Sequence, residues 1–411
     1  MKKILGITLG IMTALGGFVD LGQIVFTTQA GALFGYQLMW AIALGTAAII
    51  IYMEMCGRVA VVAKEPVFAV VHTRLGKKLG LAALIASNLL NLITCAAEIG
   101  GIAILLHLLT GWPEKLLLVA TALALGTVVL LFRFQWIERT FGLSGLMMII
   151  FGVSAVKLHP DWAQLAHGLI PKVSQPDPNH TLLYWYFAVG IFSAMLMEYE
   201  VHFYSSGAIE EDWTPKDLAE NFMVAAFGSL LGSLLTVGLL ALGVILFLPR
   251  AIFPQTLSTA VFSGAFPFAQ KALIAAIAGC LACLAGATVE TALSGGYNVC
   301  QFFNLKWGKN VPPKSAPVFT GTWVAMFTLA MVIALTGVRP LQLVNISIVF
   351  GMVVMPFTYY PVLRTASDKN VMGKHVNRKF DDVMGGIVLV FVIIAALAAI
   401  PLMVLTHSGR P

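Results

Sequence analysis

The sequence predicts an all-α polytopic membrane protein organised as a single transmembrane domain, 1–411. Three observations predict it. Hydrophobic residues make up 59% of the chain and charged residues only 11%, with a mean hydropathy of +0.90; a soluble domain carries roughly 25% charged residues. Apolar runs of about 20 residues, enough to cross a bilayer, recur from one end to the other. No soluble domain interrupts them, and the longest connections, 56–80 and 158–181, are about 25 residues.

Eleven spans are expected. The first, 5–31, opens like a signal peptide, but no small-residue cleavage site follows it cleanly, so it reads as a retained helix. It carries Asp20 amid Gly16, Gly17 and Gly22. The second, 33–55, ends near Glu54, which sits where a side chain can snorkel to the interface. Spans 81–107, 114–132 and 141–157 follow, with Glu98 inside the first of them and Lys115 and Arg133 at helix ends. The sixth, 182–206, holds Glu198, Glu200 and His202. The connector "EEDWTPKDLAEN" then offers Asp212 or Thr214 as a helix cap and Pro215 at an early helical position. Spans 218–248, 268–302, 317–337, 342–363 and 384–406 complete the set.

Charge is distributed by side. With the N-terminus in the cytoplasm, 18 of the 25 lysines and arginines fall on the cytoplasmic face. That asymmetry sets the N-terminus inside and the C-terminus outside a cell membrane. It accounts for the net charge of +6 without a nucleic-acid partner. The five cysteines all fall within or at the ends of spans, an odd number that argues against a disulfide framework. Cys280 and Cys283 read as two small residues on one helix face rather than a redox pair.

The informative feature is an imbalance. Six acids fall inside the expected spans: Asp20, Glu54, Glu98, Glu198, Glu200 and Glu290. No lysine or arginine is expected deep in a span beside them. A buried carboxylate without a basic partner must be protonated or share a cation that arrives from outside. Asp20 and the Glu198/Glu200 pair lie near the middle of their spans, and glycines weaken the first helix around its acid. A helix that unwinds there offers backbone carbonyls to an ion, as in many secondary transporters. Glu98 reads as a proton relay or a helix-to-helix hydrogen bond, His202 as a titrating or a packing group, and Glu290 as functional or packing.

These residues resemble a known family. "VDLGQIVFTTQAGALFGYQLMW" resembles the first-helix signature of the Nramp family, the natural-resistance-associated macrophage proteins, which are proton-coupled divalent-metal transporters. "AAEIGGIAILLHLLTGWP" is similar to its third helix, "FQWIERTFG" to the start of its fourth, and "MPFTYYPVLRTASDKNVMGKHVN" to the end of its tenth. The matches run in order over nearly the whole chain. The resemblance implies a LeuT-type fold: two inverted five-helix repeats, about 5–157 and 182–363, an eleventh helix at 384–406, and helices one and six broken at mid-membrane.

The chain departs from the family's pattern in one chemical direction. Leu21 replaces a proline and Gln23 an asparagine. The sixth-helix Met-Pro-His aligns with Glu198-Tyr199-Glu200, the third-helix acidic pair with Cys95 and Glu98, and a tenth-helix glutamine with Val354. The resemblance thus implies a metal site of Asp20, Gln23, Glu198 and Glu200 with the backbone carbonyls of Gly17 and Met195, and Glu98, Glu200 and His202 as candidate proton relays. An oxygen-rich set suits a hard ion, Mg²⁺ first and Mn²⁺ next, as in a magnesium-transporting branch. The expected partners are that divalent cation, protons and the lipid bilayer, with the metal as substrate, no cofactor, and a monomeric chain. An amino-acid or small-solute symporter of the same fold is the alternative, disfavoured because clustered acids repel a carboxylate. No nucleophile–base set points to an enzyme.

Overall fold

The computed structural model describes residues 19–172 and 177–410, and these are helices and their connections, without a strand among them. Helix α1 spans Leu21–Phe34 and leads through a 3₁₀ turn, Gly35–Leu38, into α2, Met39–Ala63. Then come α3 (Val67–Thr110), α4 (Glu114–Leu131), α5 (Phe134–Gly145), α6 (Ile149–Lys157) and the short α7 (Trp162–His167). The second half begins with α8 (Pro178–Met195) and α9 (Glu198–Glu210), followed by α10 (Leu218–Leu242), α11 (Leu257–Ala265) and α12 (Ala269–Phe302). It closes with α13 (Pro317–Leu335), α14 (Pro340–Ala366), α15 (Lys369–Met372) and α16 (Lys379–Leu405).

Ten helical segments among the described residues are long and apolar enough to cross a membrane. The first, Leu21–Ala63, is 43 residues long. At about 1.5 Å per residue that is twice the hydrocarbon thickness, and Gly35, at φ +61°, divides it. It therefore carries two of the expected eleven spans. The first half of the first span, with Gly16 and Gly17, lies outside the described residues.

Local chemistry sets several boundaries. Asp177 caps α8, its side chain accepting from His180 N at 3.0 Å with Pro178 in the first turn. Gly76, at φ +72°, bends the start of α3. Between α9 and α10 the expectation needs correcting. Neither Asp212 nor Thr214 caps a helix; the Thr214 N–H (2.9 Å) and hydroxyl (2.8 Å) both donate to Asp217, and α10 begins at Leu218.

Helix α1 is the most enclosed element, with every residue but Leu33 buried. It meets α10 backbone to backbone. A Cβ on Gly31 would stand 2.3 Å from Leu240 O, and one on Gly243 would stand 2.3 Å from Thr28 O. Gly243 opens a π-helical turn, Gly243–Phe247, that carries α10 around α1. Such small-residue contacts are how helices approach closely in lipid, where no hydrophobic drive separates side chain from solvent. The outermost helix, α16, instead exposes Ile393, Ile394, Leu397 and Leu405, as a lipid-facing surface requires.

One expectation about charge is overturned here. Helix α2 runs on to Ala63 and so includes a basic residue, Arg58, one turn beyond Glu54. The two form a forked pair, Nε–Oε1 at 2.8 Å and Nη2–Oε2 at 3.0 Å. Arg58 also donates to His375 O (2.8 Å) and Asn377 Oδ1 (2.7 Å), tying α2 to the segment before α16. Glu54 therefore does not await a cation. Nearby, a hydrogen bond from the Arg74 guanidinium holds the Asp368 carboxyl below the usual carboxylate range.

The α1–α10 contact yields a stability prediction. Gly31→Ala should lower the thermal unfolding midpoint, costing about 1–3 kcal/mol through overpacking. Gly126→Ala, in α4 with open space around it, should leave the midpoint unchanged or raise it. Equal tolerance at both positions would mean that the backbones do not touch.

Candidate functional site at a helix start and a helix break

The sixth expected span is broken. Helix α8 ends at Met195 and α9 starts at Glu198, with Leu196 and Met197 between them outside helical geometry (Met197 φ −26°, ψ 101°). No proline is needed for this break. Helix α1 begins beside it, with Asp20 as its N-cap in extended geometry (φ −90°, ψ 178°). Gly22, expected to weaken the helix, is itself helical. Its missing Cβ clears the Asp20 carboxylate, whose Oδ1 would lie 3.0 Å from it.

A helix start leaves backbone N–H groups without intrahelical partners. Two carboxylates take them here. Asp20 Oδ1 accepts from Gln23 N at 2.8 Å, and Glu98 Oε1, from α3, accepts from Leu21 N at 3.1 Å. The positive end of the helix dipole favours both. The substitution at Leu21 becomes intelligible, because a proline there would have no N–H to give Glu98.

The Gln23 side chain crosses to the break between α8 and α9. Its Nε2 donates to Ala194 O, in the last turn of α8, at 3.1 Å, and lies 3.7 Å from Met195 Sδ. Its Oε1 is buried and accepts no hydrogen bond. The Glu200 carboxylate is in the same condition: 3% exposed, with neither oxygen partnered, and within electrostatic reach of Asp20 and Glu290. Glu98 Oε2 is another buried acceptor without a donor. Helix α12 supports the site through Ser294, whose hydroxyl donates to Tyr199 O at 2.7 Å.

Glu198 does not share this pocket. Two residues along a helix turn through about 200°, so Glu198 and Glu200 leave α9 on opposite faces. Glu198 Oε1 accepts from Ser87 Oγ at 2.7 Å and lies 3.6 Å from His202 Nε2. The His202 ring packs edge-on against Phe68, with centroids 5.1 Å apart. Among the described residues, no three Asp, Glu, His or Cys side chains gather closely enough to hold a metal ion. The residues named from the sequence thus divide between two faces. Asp20, Gln23, Glu98 and Glu200 are on one side; Glu198 and His202 are on the other. Gly17 lies outside the described residues.

Sequence reasoning missed three contributors: the Ala194 carbonyl and the thioethers of Met195 and Met197. Met197 Sδ accepts from Tyr199 OH at 3.1 Å. A thioether therefore stands at the break, although aligning the family's methionine with Glu198 implied that none did. The broken backbone is the signal, and it is invisible in composition.

Solved structures share this fold. A manganese transporter of Eremococcus coleocola, crystallised with an aromatic bis-isothiourea compound, superposes with a TM-score of 0.74 over 98% of this chain and 86% of that one, at 20% identity. A Na⁺-coupled sialic acid symporter gives 0.63 over 96% and 90%, at 12% identity. The fold is the LeuT type, that of a multi-pass helical membrane protein. The profile described as natural resistance-associated macrophage protein-like matches residues 10–401, and the chain belongs to that family. Relatives named "Divalent metal cation transporter MntH" include one from Levilactobacillus brevis, 25% identical over 398 residues that cover 92% of this chain and 85% of that protein. One from Agrobacterium fabrum is 25% identical over 388 residues, covering 89% and 80%.

The cap on α1 can be tested by two substitutions. Glu98→Leu leaves the Leu21 N–H buried without an acceptor and should cost about 1–3 kcal/mol. Glu98→Gln keeps an acceptor oxygen and should retain most of that stability in thermal unfolding. If both variants melt alike, Glu98 does not hold the helix start.

Proposed function

We propose that the chain carries a divalent metal cation across the membrane by alternating access. The ion would be held between the start of α1 and the break after α8 by Asp20, Gln23, Glu200 and the Ala194 carbonyl. The observation that carries this reading is the set of orphaned acceptors. Gln23 Oε1 and both Glu200 oxygens are buried without donors, and buried acceptors in that condition are expected to hold an ion or water. The relatives' names support a divalent ion.

Donor chemistry favours Mn²⁺ over Mg²⁺. The oxygens suit either, but the Met195 and Met197 sulfurs at the break favour the softer ion. The backbone carbonyls of Gly17, outside the described residues, and of Met195, at the end of α8, are proposed to complete the shell. When the ion leaves, acids as close as Asp20, Glu98 and Glu200 repel one another if all are charged. A proton taken up by Glu98 or Glu200 relieves that, which couples return to protons. The asymmetry of lysine and arginine supports the N-terminus inside and the C-terminus outside. The two repeats correspond to 5–157 and 182–363, with α16 as the additional helix.

Uptake into proteoliposomes tests this reading. Mn²⁺ should enter and be displaced by Cd²⁺ more effectively than by Mg²⁺ or Ca²⁺, with lumenal pH rising as protons are carried out on the return step. Asp20→Asn and Glu200→Gln should each lower apparent Mn²⁺ affinity by about 10- to 100-fold. Unchanged uptake in both variants would place the ion elsewhere.

A further inference from the structure

Glu198 faces away from this centre, into a second group of buried polar atoms drawn from four helices. Ser87 comes from α3, Glu198 and His202 from α9, Tyr52 from α2 and Thr358 from α14. Glu198 is 3% exposed, His202 1%, and Tyr52 and Ser87 0%. Only one hydrogen bond is made among the first four, Ser87 Oγ to Glu198 Oε1. Glu198 Oε2, both ring nitrogens of His202 and the Tyr52 hydroxyl are all buried with no hydrogen-bond partner. Thr358 lies near both Glu198 and Tyr52, and Cys56 near Tyr52, within reach of weak interaction but without the geometry of a hydrogen bond.

A glutamate and a histidine that served only to satisfy each other would meet at hydrogen-bonding distance, roughly 2.7–3.2 Å. Glu198 Oε1 and His202 Nε2 stop at 3.6 Å. Two atoms that each bind one ion at about 2.1 Å can stand up to about 4.2 Å apart, so the pair is spaced to bracket a cation. The ring is also braced for that task, with Phe68 against its edge and its i,i+4 placement putting it on the Glu198 face.

We infer that Glu198, His202, Ser87 and Tyr52 form a second divalent-cation station, on the face of α9 opposite the Asp20–Glu200 centre. The inference rests on reading the chain as a cation carrier, which gives a second cation site on the same helix a use. The donors define its ligand class. One carboxylate and one imidazole with hydroxyls suit a borderline first-row ion such as Mn²⁺ or Fe²⁺, whereas Mg²⁺ prefers oxygen alone. The second station therefore selects against Mg²⁺ even where the first accepts it.

Mn²⁺ alone is the probe, added to the purified full chain in nanodiscs, with bound and free ion measured by electron paramagnetic resonance. The wild type should bind two ions per chain, and His202→Gln and Glu198→Gln should each bind one. Spin-echo modulation from an imidazole nitrogen should be present in the wild type and in Asp20→Asn, and absent in His202→Gln. Ser87→Ala, a milder change, should weaken one ion and spare the other. A wild type that binds a single ion, nitrogen modulation that persists in His202→Gln, or loss of both ions in His202→Gln and Ser87→Ala alike would overturn the second station. An unchanged count of two in His202→Gln would assign the orphaned atoms to water. The carrier reading fails separately, if Asp20→Asn retains both its ions and its uptake.

Discussion

The structure depends on the meeting of a helix start and the break in another span through the side chain of Gln23. Its own backbone N–H is taken by Asp20, which starts α1, while its amide nitrogen reaches the carbonyl that ends α8. A helix start and a helix end thus face each other across one side chain, in a region where unsatisfied backbone groups are costly. The positive end gathers carboxylates and the negative end offers a carbonyl. Between them lie acceptors with no donors, an arrangement that a cation would complete.

Holding that arrangement falls to close backbone packing. Gly31 against Gly243 allows α1 to rest on the π turn of α10 with no side chain between them. Gly45 admits Met195, whose Cβ would stand 2.5 Å from an added methyl, so α2 braces the end of α8. Glu98 fixes the start of α1 from α3. The start of α1 and the end of α8 are therefore held from several sides, which is what an ion site between moving halves needs.

Much of this was legible in the sequence. Spans recur at bilayer length, and acids without basic neighbours marked the first and sixth. The family's pattern supplied the fold. What could not be read was orientation around a helix whose start was unknown. Once α9 begins at Glu198, the spacing of two puts Glu198 and Glu200 on opposite faces, and a regular helix cannot bring both to Asp20. The expected span stops at residue 55 and leaves Arg58 in a connection, yet α2 continues to Ala63 and buries it against Glu54. Leu21 was seen as a lost proline. Its value lies in the N–H it regains, and that required knowing where Glu98 sits.

The most direct test is crystallographic. Crystals soaked in Mn²⁺ and measured near the manganese absorption edge should show an anomalous peak between the Asp20 carboxylate, Gln23 Oε1, Glu200 and the Ala194 carbonyl. A peak that lies only against other residues, with these acceptors bound to water, would contradict the account.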